Sequence, residues 1–180
     1  YEPGALHFAA EVFERTRADF LFGRNQVTHS SRSRKTRIRN ALRPIPHPLI
    51  VGHPRYDIAQ DASFWRAGSP PRFDEAFHFC LDVEFFLREC PGRRIVMTDR
   101  VLSYFREHDA SKSALMQNVG VVERAVLEGR MDGHRVSGWQ QAGVLLGYWG
   151  QSIVQLVPRL LGARSDLLFS YRHPSNGTSQ

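Results

Sequence analysis

Residues 73–107 read FDEAFHFCLDVEFFLRECPGRRIVMTDRVLSYFRE: an aromatic-rich helical stretch, a Pro-Gly break, and then apolar residues at strand spacing. That change of period within one short span predicts a helix followed by two short strands divided around Thr98 and Asp99, and therefore an α/β class. Asp82 is the anomaly. It stands among Phe77, Phe79, Leu81, Phe85, Phe86 and Leu87. At a helix start the macrodipole stabilises such an acid by roughly 0.3–1 kcal/mol, which makes it an ordinary first-turn residue. With Phe85 and Phe86 at i+3 and i+4, however, Asp82 falls beside the apolar face, where a half-buried carboxylate can take a proton from a hydroxyl. Glu84 and Arg88 have i,i+4 spacing and are expected to form an exposed pair.

Upstream, EPGALHFAAEVFERT predicts a helix to about Thr16 with Leu6, Ala9 and Phe13 on its apolar face, and DFLFGRNQVT a short strand. Residues 29–47 read as a basic loop, carrying Arg32, Arg34, Lys35, Arg37, Arg39 and Arg43 without a regular apolar face. DIAQDASFWR alternates as a strand ending near Trp65, and Gly68, Pro70 and Pro71 mark the turn before the Asp82 helix. Downstream, a helix is expected from Ser111 to about Met131 and another from Gly138 to about Leu161, followed by a polar tail. The division expected is an α/β unit over residues 1–131, then an amphipathic helix and tail over 132–180. The first helix has no strand ahead of it, and the chain begins at Tyr1, so a preceding part of the fold is expected outside this sequence.

At 180 residues, with 42% hydrophobic and 11% aromatic content, the chain can bury a core, which excludes disorder as the default. Its net charge of +6 favours anionic partners without choosing among them. Cys80 and Cys90 lack CxxC or Cys/His spacing and read as reduced core residues, not a disulfide scaffold or a structural zinc site.

Each remaining motif has more than one reading. FREHDASKS, residues 105–113, is a solvated turn capped by Ser111, or a loop whose Arg106 and Lys112 meet a diphosphate while His108 ligates a metal. Trp65 and Arg66 are a core aromatic and a surface arginine, or a sugar platform and its neighbour. The arginine loop has no interleaved aromatics or nucleic-acid motif, so nucleic acid is disfavoured; a solvated loop, a lipid-facing patch or a flap over a site remain. The last helix gathers Gln140, Gln141, Gln151, Ser152, Gln155 and Arg159 on one face and Leu145, Leu146, Trp149, Ile153, Leu156, Val157, Leu160 and Leu161 on the other. It packs on the domain or on a second subunit, or it lies in a membrane interface.

YEPGAL, IAQDASFWR, FDEAFHFCLDVEFFLREC and VLSYFREHDASKS, in this order, resemble the second half of family 2 glycosyltransferases, over about residues 1–115. The resemblance implies a partial GT-A, Rossmann-like mixed sheet flanked by helices, with the C-terminal amphipathic helix added to it. It implies inverting, metal-dependent transfer of a sugar from a nucleotide-sugar donor to a saccharide or lipid-linked hydroxyl acceptor in cell-envelope glycan synthesis. Asp82 would be the general base, Trp65 and Arg66 would line the acceptor side, and Arg106, His108 and Lys112 the donor diphosphate side. The divalent metal, Mg or Mn, would be held by His108 and chiefly by a DxD motif ahead of Tyr1, leaving this chain inactive alone. Leu81 stands where the family has another acid. The implied location is the cytoplasm, at the inner face of the membrane. A non-catalytic basic peripheral-membrane or interaction module of degenerate transferase-like shape is the alternative.

Overall fold

The computed structural model describes residues 1–29, 37–39, 58–66, 68, 72–108, 110–131 and 168–172, with ten residues between 138 and 154. Among them are the strands β1 (Phe20–His29), β2 (Arg37–Arg39), β3 (Ser63–Trp65), β4 (Arg94–Glu107) and β5 (Leu168–Arg172). They form one mixed sheet in the order β2-β1-β4-β5, with β3 also on β1. β1 and β4 are parallel, and all the other pairings are antiparallel. The helices are α1 (Ala5–Thr16), α2 (Leu81–Glu89), the single turn α3 (Lys112–Leu115) and α4 (Gln117–Met131). The protein is thus α/β.

Strand alternation divides the core into two layers. Leu21, Val96 and Leu102 join Ala5, Phe8, Ala9 and Val12 of α1. Phe20, Phe22, Ile95 and Met97 join Val83, Phe85, Phe86 and Leu87 of α2 and Leu127 of α4. Phe86 is 1% exposed and packs edge-on to Phe22 at 5.3 Å between ring centroids. α1 keeps its expected limits but turns a different face inward. Ala5, Phe8, Ala9 and Val12 are buried and Leu6 is exposed, because small Ala5 and Ala9 let the helix approach the sheet closely. Gly4, at φ 80°, takes the left-handed turn that starts this helix.

The two strands expected around Thr98 and Asp99 are one. β4 runs through because β1 lies beside it for its whole length, and the irregularity expected as a break is absorbed as register shifts between Phe22 and Asn25. Gly23 makes the shift possible: a Cβ there would lie 2.3 Å from Leu102 Cδ1.

Further corrections concern the segments with weaker patterns. Within the expected basic loop, His29 ends β1 and Arg37–Arg39 is strand β2; the rest of that loop lies outside the described residues. DIAQDASFWR is a strand only over Ser63–Trp65, after a 3-10 turn at Gln60–Ala62. The helix expected from Ser111 breaks at Met116.

The largest departure is at the C-terminal side. Residues 168–172, expected to follow the last helix without structure, form β5 against Arg94–Thr98 and put Phe169 and Tyr171 into the α2-side core. Residues 168–172 are therefore part of the sheet, although they lie beyond the expected division at 131/132. Cys80 and Cys90 are buried and free, as expected.

Candidate active site

Helix α2 leads into β4 through the short turn at residues 90–93, so it runs antiparallel to that strand. Its N-terminus therefore points toward the end of the sheet where the parallel strands β1 and β4 finish. Open α/β sheets bind ligands at that end. Asp82 sits in the first turn of α2, half-buried, with Oδ1 accepting the Val83 N–H at 2.9 Å. Leu81, in the position of the absent acid, packs against the α2-side core.

The approach to α2 is held from outside. Glu123 of α4 is buried, and its carboxylate accepts the N–H groups of His78 at 2.7 Å, Phe79 at 2.8 Å and Cys80 at 2.7 Å. Burial by itself would raise this carboxyl, but the bonds from Cys80, His78 and Phe79 outweigh it and hold it below the usual glutamate value. Cys80 is the N-cap position and offers no side-chain cap, and Glu123 reaches from another helix to accept its N–H and those of the two residues before it.

Two further contacts from α4 act on the same segment. Arg130 pairs with Asp74 at 3.0 Å and lies 4.8 Å from the Phe77 ring centroid, and with the Ala76 N–H it lowers the Asp74 carboxyl. Gly120 lies so near Phe79 that an added Cβ would be 2.5 Å from its ring. Gly120→Ala is accordingly expected to cost about 1–3 kcal/mol by forcing α4 off the segment. Urea denaturation measures it, and an unchanged midpoint would mean that Phe79 moves aside freely.

Glu84 and Arg88 do pair, through both nitrogens of the fork, at 2.8 and 3.2 Å. The expected exposed pair is nevertheless half inside, with Glu84 buried where α2 meets the segment before it and Arg88 also donating to the Arg72 carbonyl.

Trp65 lies beside the core, 5.3 Å from Phe85 and 6.3 Å from Phe86 between centroids. Arg66 reaches α1, donating to the Phe13 carbonyl at 3.0 Å and the Ala18 carbonyl at 3.3 Å. These contacts give Trp65 a packing role and Arg66 the role of closing the end of α1. Trp65 pairs with Phe20 at the start of β1, at the far end of the sheet from Arg106. The structure therefore does not bring the acceptor-side pair together with Arg106.

Arg106, His108 and Lys112 do lie at one end, Arg106 within the last residues of β4 and the other two past its finish, and all three are exposed. Ser111 occupies the N-cap position of α3 without a side-chain cap bond, its Oγ buried and unpaired, so the cap expected there is backbone only. Among the described residues no three His, Cys, Asp or Glu side chains gather to hold a metal. His108 is one exposed imidazole, the resemblance puts the chief ligands ahead of Tyr1, and no chemistry is assigned to the metal.

The chain matches no family model, no curated protein and no solved structure.

One polar cluster was not legible beforehand. Asn25 Nδ2 donates to both oxygens of Asp61 at 3.0 and 3.3 Å, and Ser103 Oγ donates to the same carboxylate. It ties the 3-10 turn across β1 and β4 where their register shifts. Neither it nor Glu123 had a sequence signal, because each joins residues more than 30 positions apart.

Proposed function

We propose that the chain is part of an inverting, nucleotide-sugar-dependent glycosyltransferase with Asp82 as general base. The observation that carries the proposal is the half-buried Asp82 carboxylate in the first turn of α2, a helix whose approach is clamped by Glu123. In the proposed step the acceptor oxygen attacks the anomeric carbon from the face opposite the leaving group. A glycosidic C–O bond forms, the bond from that carbon to the diphosphate breaks, and the electron pair leaves with the nucleoside diphosphate. The hydroxyl proton passes to Asp82. Arg106, near the end of β4, and Lys112, past it, are both exposed and supply the positive charge that meets the diphosphate.

The acceptor proposed is a saccharide or lipid-linked hydroxyl, and the location the cytoplasmic face of a membrane. One observation favours the non-catalytic module instead: Leu81 fills the position of the family's first acid and is used for packing.

Release of nucleoside diphosphate from a nucleotide sugar, in a protein carrying this chain, tests the reading. The Arg106→Ala/Lys112→Ala variant is expected to raise the donor KM about tenfold, because two charge-assisted contacts are lost. An unchanged KM would remove both residues from the donor side, and no release from any nucleotide sugar would favour the non-catalytic module.

A further inference from the structure

The helical residues between 138 and 154 turn their greasy side outward. Trp139 is 89% exposed, Leu146 74%, Ile153 61% and Val154 71%. Trp139, Leu146 and Ile153 recur every seven residues, which aligns them in one stripe along the helix. This is the side that an amphipathic helix normally turns to a core, and here these side chains face solvent.

Charge indicates what covers the stripe. Between Asp132 and Asp166 every charged residue is an arginine, namely Arg135, Arg159 and Arg164, with none between Arg135 and Arg159. The whole chain has a net charge of +6. An uncharged amphipathic segment with a tryptophan near its start, bounded by arginines, suits the boundary between anionic headgroups and acyl chains. Gln140, Gln141, Gln151 and Gln155 share the opposite side of the helical wheel, where headgroups and water would meet them. No described helix is long and apolar enough to cross a membrane.

We propose that this stripe seats the chain on an anionic lipid bilayer, with the helix lying in the plane of the interface. The attachment is independent of glycosyl transfer and is measured without it.

The test is co-sedimentation of the 180-residue chain with vesicles of equimolar phosphatidylglycerol and phosphatidylcholine, or of phosphatidylcholine alone. Binding to the anionic vesicles is expected, weakened about tenfold without phosphatidylglycerol and again on Trp139→Gln/Leu146→Gln/Ile153→Gln. Trp139→Gln alone changes a side chain so exposed that folding is not at stake, and it is expected to weaken binding severalfold. Sedimentation velocity of the same proteins distinguishes the other occupant, a second copy of the chain. Vesicle binding that survives the triple substitution would overturn the proposal. So would a dimer that the substitution splits while vesicle binding stays the same.

Discussion

Asp82→Asn is expected to lower glycosyl transfer by about 10²- to 10⁴-fold while leaving the donor dissociation constant within about a factor of two. Asparagine keeps the shape of the side chain and an oxygen for the Val83 N–H, so the first turn of α2 can form as before. What it loses is the capacity to take a proton from the attacking hydroxyl. The separation of the two readouts carries the prediction, because a structural role for Asp82 would weaken donor binding and stability along with turnover. Transfer and binding are measured side by side, as nucleoside diphosphate release and by calorimetry. Full activity in the variant would remove Asp82 from the chemistry.

The second large effect is expected at Glu123. Glu123→Ala leaves the His78, Phe79 and Cys80 N–H groups without their acceptor, and the Cys80 bond is buried. A loss of about 2–3 kcal/mol in unfolding free energy is expected, since water can replace the more exposed partners but not the innermost one. Because the same carboxylate fixes the approach to α2, transfer should fall as well, although Glu123 reaches no reacting atom in the proposed mechanism.

The sign of the pH dependence follows from the lowered Glu123 carboxyl. Its stabilising contribution is complete above the ordinary glutamate value and is lost as pH falls through the lower folded-state value. Glu123→Gln removes the charge in a side chain of similar shape. The stability difference between wild type and this variant should therefore be full at neutral pH and shrink as the solution is acidified below the glutamate range. A difference that stays constant over that range would show that shape, and not the charge, holds the segment.

Much of the fold was legible where pattern and burial agree. The limits of α1 and the place of α2 follow from helical spacing, and β1 and β3 from runs rich in Phe and Trp. Legibility failed where a neighbour decides. β5 has only five residues, and it becomes a strand because β4 offers Arg94–Thr98 as an open edge. The unbroken course of β4 likewise depends on β1, and on Gly23 making room for Leu102.

The candidate site divides in the same way. The sequence by itself determined the α/β class, the reduced buried cysteines, and an acid in the first turn of an aromatic-rich helix, since these follow from local spacing and composition. It also carried the motifs that nominate Asp82 for proton transfer. Only the tertiary structure decided which contacts hold the elements around that acid. Glu123 caps the α2 segment from another helix, Arg66 closes α1, and Trp65 packs below Phe85. The physical reason is range: periodicity reports which side of an element is apolar, whereas a backbone N–H donates to whatever acceptor folding brings within about 3 Å, however distant in the chain.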